Sequence, residues 1–119
     1  MGGYLTTHIL DTAQGIPASH VTIQVWRIDA GKSGVLLKTT CTGENGRTEE
    51  ALLTGEEFSV GTYEIIFKVG AYFAAQQIPT ADPPFLSDIP VRFTIADPNA
   101  HYHVPLLVSP WAYSTYRGS

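Results

Sequence analysis

Cysteine, charge and long apolar runs are all scarce in this 119-residue chain. The single Cys41 leaves no partner for a disulfide within the chain, which suits a reducing cytosol. No apolar run approaches the ~20 residues of a membrane helix, so no membrane partner is expected. Charged residues make up only 15% of the chain, and its seven basic residues are scattered against a net charge of −4. That balance offers no electrostatic footprint for nucleic acid or an anionic membrane surface. No fixed-period repeat, phosphate-binding glycine loop or nucleotide fingerprint occurs, which sets aside solenoids and nucleotide chemistry. No charged-then-apolar leader precedes the first strand signal, and Arg117-Gly118-Ser119 is not a peroxisomal address. The opening Met1-Gly2-Gly3-Tyr4-Leu5-Thr6 matches an acylation pattern by letter only. A cytoplasmic location is the expectation.

Hydrophobic residues, at 44%, are sufficient for one packed core, and the length suits one domain over 1–119 rather than two. The alternation of apolar and polar residues predicts strands over Tyr4 to Asp11, Val21 to Trp26, Val35 to Thr40, Thr62 to Val69 and Val91 to Ile95. Glu44-Asn45-Gly46 is a turn signal, after which Arg47 to Glu50 reads as a short edge strand. Ala71 to Gln77, free of Gly and Pro, is the one place for a short helix, ended by Pro79. Thr80 to Asp88, with Pro83 and Pro84, is a loop. About eight short strands at this turn spacing predict an all-β sandwich or barrel.

The last nineteen residues, His101 to Ser119, carry the densest polar chemistry. Two strand-like runs flank a Ser109-Pro110-Trp111-Ala112 turn, which predicts a hairpin. Strand alternation puts Tyr102, Val104, Leu106 and Val108 on a core face. His101, His103, Pro105 and Leu107 fall on the other.

The ending YRGS, the runs HYHVPLL and YSTYRGS, the opening THILDTAQGIPA (Thr7 to Ala18) and NGRTE (Asn45 to Glu49) appear in order along the chain. With these motifs the chain resembles the 5-hydroxyisourate hydrolase branch of the transthyretin family over essentially its whole length. The resemblance implies a β-sandwich of two four-stranded sheets with one short helix. It also implies a homotetramer, a dimer of dimers, with its sites in a channel between dimers. The implied reaction is hydrolytic ring opening of 5-hydroxyisourate, a product of urate oxidation, to 2-oxo-4-hydroxy-4-carboxy-5-ureidoimidazoline, without a cofactor or required metal. The implied catalytic residues are His8, Arg47, His103 and Ser119. Tyr116, Arg117 and Gly118 would line the substrate site, with Pro105 and Leu107 as its apolar floor.

The residue types suit that chemistry. Imidazole titrates near neutral pH and exchanges protons with water and substrate without extreme tuning. A guanidinium is a permanent fork of donors for an oxygen-rich heterocycle and for developing carbonyl charge. Taken singly, His8 reads first as a solvated histidine on a polar face, and Arg47 as a surface cation near Glu49 and Glu50; only their companions and the motif match favour the catalytic reading. Which of His8 and His103 is the general base stays open, with His101 at the margin of the site and His20 at the surface. His101 and His103 have spacing that suits metal chelation with His8 as a third ligand, but no carboxylate motif or Cys cluster accompanies them. A Ser-His-Asp set from Ser109 or Ser119, His103 and Asp11 lacks a nucleophile elbow around either serine. The competing reading is a transthyretin-like carrier of a small aromatic ligand, whose channel would have to be open and apolar.

Overall fold

The computed structural model describes residues 2–28 and 33–118. Its best-ordered alternation is in one antiparallel sheet of four strands, β4 (Thr22–Ile28), β5 (Val35–Cys41), β7 (Gly61–Phe67) and β8 (Ile89–Ile95), in the order β5-β4-β7-β8. Ile23 and Val25 of β4, Tyr63, Ile65 and Phe67 of β7, and Ile89 and Ile95 of β8 are fully or almost fully buried. Every second residue faces inward because strand side chains alternate, and each such burial contributes on the order of 1.5–3 kcal/mol. Pro90 is tolerated in β8 because that strand is an edge of its sheet.

The opposing layer is built from short pieces: β1 (Tyr4–Thr6), β2 (Ile9–Asp11), β3 (Ile16–Pro17), β6 (Leu53–Thr54), β9 (His101–His103), β10 (Leu106–Val108) and β11 (Tyr113–Thr115). They form a three-stranded sheet, β6-β1-β9, and a four-stranded sheet, β11-β10-β2-β3. The described residues therefore hold three sheets, not the expected two of four strands. Pro105 explains the division. It has no N–H to donate, so the run from His101 to Val108 breaks at Val104-Pro105, and the run from Tyr4 to Asp11 breaks opposite it at Thr7-His8. Hydrogen bonds span the gap: Val104 N–H donates to Thr6 O at 2.9 Å and Leu106 N–H to His8 O at 2.9 Å. The buried Thr7 hydroxyl donates to Val104 O at 2.7 Å, satisfying a carbonyl at the break.

Leu5, Ile9, Leu106 and Val108 join the inner residues of the other sheet in one hydrophobic core. The turn Ser109 to Ala112 closes as expected, with Ser109 N–H donating to Ala112 O and Leu106 to Val108 pairing antiparallel with β11. The helix α1 covers Val69–Ala75, two residues earlier at each end than the composition suggested. It stops before Pro79 because Gln77 takes a left-handed conformation, φ 57°. The expected edge strand at Arg47 to Glu50 does not form; these residues run as bends, folded back by the turn before them.

The helix is pinned to β2 by a buried carboxylate. Asp11 is fully buried and accepts hydrogen bonds from Gln14 N–H (3.0 Å), Gln14 Nε2 (2.8 Å) and the Tyr72 hydroxyl of α1 (2.8 Å). Burial and the Asp11 carboxylate both push the Tyr72 phenol well above its ordinary range, so it stays a donor. Replacing Asp11 by Ala should cost about 2–3 kcal/mol, since it strands the buried Tyr72 hydroxyl and Gln14 N–H. Tyr72→Phe should cost less, about 1 kcal/mol. Thermal unfolding at fixed protein concentration checks both, and equal melting temperatures for Asp11→Ala and wild type would refute the assignment.

Candidate active site

The site is assembled where the two ends of the chain meet. β1 pairs in parallel with β9, in the register Tyr4 with His101, Leu5 with Tyr102 and Thr6 with His103. Leu5 and Tyr102 point into the core, so Thr6, His101 and His103 are left on the outer side. Tyr102 anchors this arrangement through its hydroxyl, which accepts from Ala96 N–H (3.0 Å) and Asp97 N–H (3.1 Å) at the turn before β9. His8 lies at the break between β1 and β2, half-buried.

Arg47 reaches this surface from a separate turn. Gly46 N–H donates to Gly43 O, Gly43 N–H to Arg47 O and Arg47 N–H to Asn45 Oδ1, which makes the turn self-closing. Ile9 N–H donates to Gly46 O at 2.9 Å and so docks the turn on β2 beside His8. Gly46 has φ +76°, and a Cβ there would fall 2.6 Å from Ile9 O and 3.1 Å from the His8 ring, so only glycine permits so close an approach.

β1, β9 and the Arg47 turn border an open cleft of about 470 Å³ lined by Tyr4, Thr6, Arg47, Glu49, His101 and His103, among others, whereas His8 is not part of that lining. The Arg47 guanidinium is exposed and forms no ion pair among the described residues, not even with Glu49 or Glu50. Burial, and then the charge of Arg47, hold the His8 imidazole below its ordinary value, opposed by a hydrogen bond to the Asn45 backbone. Burial and Arg47 also lower His103, with smaller contributions from His101 and His8. Both rings are therefore neutral at pH 7 and able to accept a proton, next to a cation able to hold an anionic oxygen.

The carboxyl-terminal segment meets the site at Gly118, whose N–H donates to His103 O at 2.7 Å. A Cβ on Gly118 would lie 2.8 Å from His103 Cδ2, so the bare glycine backs the imidazole. Arg117 turns away: its guanidinium lies 4.0 Å over the Tyr102 ring and reaches His101 O at 3.4 Å. Tyr116 is 60% exposed and borders a second opening with His101, Arg117 and Gly118. Pro105 is buried and Leu107 half-buried further along the sheet; neither lines the cleft. Ser119 lies outside the described residues.

Asp11 and Ser109 serve structure. Asp11 is bonded to Gln14 and Tyr72 rather than to a histidine, and the Ser109 hydroxyl oxygen accepts from Trp111 and Ala112 N–H in its own turn. Among the described residues no group of three or more His, Cys, Asp or Glu side chains converges as a metal cage would. Two residues unremarked in the sequence belong to the site. Thr6 hydrogen-bonds both His101 and His103, and the Tyr4 ring stacks on His101 with centroids 4.2 Å apart. Thr6 shares a strand face with His8, but only the parallel pairing with β9 gives that hydroxyl its partners.

Residues 5–118 match the model of the HIUase/Transthyretin family. A 5-hydroxyisourate hydrolase of Mesorhizobium japonicum is 50% identical, covering 99% of this chain and 94% of its own length. Among solved structures, (S)-allantoin synthase superposes with a TM-score of 0.93 at 47% identity over 98% of this chain, which spans 44% of that longer protein. Sea bream transthyretin in complex with thyroxine gives a TM-score of 0.84 at 32% identity, covering 96% of this chain and 93% of its own. The chain belongs to the HIUase/Transthyretin family.

Proposed function

We propose that this protein is a 5-hydroxyisourate hydrolase, opening the substrate ring by hydrolysis to 2-oxo-4-hydroxy-4-carboxy-5-ureidoimidazoline. The observation that carries the reading is the grouping of two neutral imidazoles, His8 and His103, around the Arg47 guanidinium, which has no ion pair among the described residues, beside an open cleft. A relative carrying that name matches at half of all positions over nearly its full length.

In the proposed mechanism a histidine of the His8/His103 pair takes a proton from water, and the resulting hydroxide attacks a ring carbonyl. Arg47 binds the oxygen-rich ring and stabilises the oxyanion, because its charge is already in place before the reaction begins. The proton is returned to the departing ring nitrogen, which restores two neutral imidazoles. Gly118 backs His103, Tyr116 forms part of the surrounding wall in the assembled protein, and Ser119 is proposed as a further catalytic donor near the substrate. That assembly is proposed to be a homotetramer, a dimer of dimers of single-domain chains. Exposed Phe85, Trp111, Tyr113 and Tyr116, and the open edges of β8 and β11, support it. Its proposed location is the cytoplasm, where the exposed, unpaired Cys41 would remain reduced. A carrier role like that of transthyretin is disfavoured by the cation and imidazoles in the cleft, which would have to be desolvated by an apolar ligand.

His103→Ala should lower kcat by about 10²-fold or more while the protein stays folded, read as decay of freshly generated 5-hydroxyisourate in the ultraviolet. Full activity in that variant would sink the site. Because neutral imidazole is the reactive form and both rings titrate below their ordinary value, kcat/KM should be flat around neutral pH. It should fall only as the medium becomes more acidic than the usual histidine range. Arg47→Gln removes the neighbouring charge but leaves the burial, so the His8 and His103 midpoints in an NMR titration should move up yet stay below the ordinary value. Unmoved midpoints would show that the cation does not act on the rings.

A further inference from the structure

The Thr6 side chain stands between two imidazoles. Its Oγ1 is 2.8 Å from His103 Nδ1 and 2.6 Å from His101 Nε2. A threonine hydroxyl carries one proton and two lone pairs, so it can donate to only one of these nitrogens at a time. If it donates to His101 Nε2, it accepts from His103 Nδ1–H, and His103 Nε2 is bare. If it donates to His103 Nδ1, then His103 carries its proton on Nε2 and His101 donates in turn. Among the described residues, His103 Nε2 has no hydrogen-bond partner of its own, and the ring is fixed on its Cδ2 side by Gly118. The state of one ring therefore dictates the state of the other.

We infer that Thr6 is a positioning residue acting through His103: its hydroxyl sets which His103 nitrogen is bare and passes a proton between His103 and His101. This deepens the hydrolase reading and rests on it. The step balances as follows. Water gives a proton to His103 Nε2; the His103 Nδ1 proton moves to Thr6 Oγ1 while the Thr6 hydroxyl proton moves to His101 Nε2. His103 is left neutral with its proton on Nε2, ready to donate to the departing nitrogen, and the extra proton resides on His101. Run backwards, the same shift restores the starting tautomers.

The surroundings suit that direction of transfer. Burial of His103 and the neighbouring Arg47 charge oppose a lasting imidazolium there, with smaller contributions from His101 and His8. His101 stacks on Tyr4, receives Arg117 only at its backbone carbonyl and borders a second opening to solvent, where a proton is exchanged with water. Glu49 and Glu50 line the cleft together with both the His101 and His103 rings and favour positive charge in it. A hydroxyl held by two short hydrogen bonds gives a proton path without a mobile water, so no ordering of solvent precedes the transfer.

The test compares wild type, Thr6→Val, Thr6→Ser and His101→Phe on freshly generated 5-hydroxyisourate, alongside ¹⁵N-histidine NMR spectra that report which ring nitrogen bears the proton. Valine keeps the shape and removes the hydroxyl, whereas phenylalanine keeps the stack on Tyr4. Thr6→Val should lower kcat about 10-fold or more with KM within about twofold, and redistribute the His103 proton between Nδ1 and Nε2; Thr6→Ser should restore both. Thr6→Val combined with His101→Phe should be no slower than the slower single variant, because the two remove one path. An active wild type with an equally active Thr6→Val, an unchanged His103 spectrum, or additive losses would overturn the relay alone. Wild type that leaves 5-hydroxyisourate at background decay would overturn the hydrolase reading itself.

Discussion

The parallel pairing of β1 with β9 is the constraint on which the rest of this structure depends. It joins residues 4–6 to residues 101–103, almost the full length of the chain apart, and it does so in a register that seats Leu5 against Tyr102 in the core. Once those two are inside, alternation forces Thr6, His101 and His103 outward together. A slip of one residue would bury the imidazoles and expose the core pair. The register is thus held by apolar burial on one face, while the chemistry sits on the other.

Around that pairing the molecule combines rigid backbone with a soft, titratable surface. The turn carrying Arg47 is closed by its own hydrogen bonds and then tied to β2 through Ile9 and Gly46, so the guanidinium arrives on a fixed support. Gly46 and Gly118 bring backbone to within contact of the two candidate imidazoles, and neither position has room for a Cβ. Desolvation is the largest influence on both rings, and the Arg47 charge adds to it in the same direction. Partial burial and the Arg47 charge together keep histidines neutral that in water would be partly protonated just below neutral pH.

Much of this was legible from the residues. The alternation in Val21 to Trp26, Thr62 to Val69 and Val91 to Ile95 located three strands of the antiparallel sheet, since a half-buried strand writes its period directly into the chain. Asn45-Gly46 marked its turn because that pair favours left-handed backbone. The edge strand expected at Arg47 to Glu50 was misread because the turn docks on β2 through Gly46 and the residues after it run as bends with no strand partner among the described residues. The second layer was misjudged for a different reason. Pro105 breaks its own strand, and that break becomes visible in Thr7 and His8 only when the partner is known.

For function, the amino-acid sequence by itself determined the inventory: the motifs that resemble a hydrolase family, the imidazoles His8 and His103, the guanidinium Arg47 and the glycine-containing tail. Tertiary structure alone decided their relations. It paired Thr6 with two histidines nearly a hundred residues away, turned Arg117 toward Tyr102 instead of the cleft, and committed Asp11 to the helix rather than to His103. The physical reason is that local propensity and alternation act within a few residues along one strand. Which strands become neighbours, and in what register, is settled by burying the core as a whole.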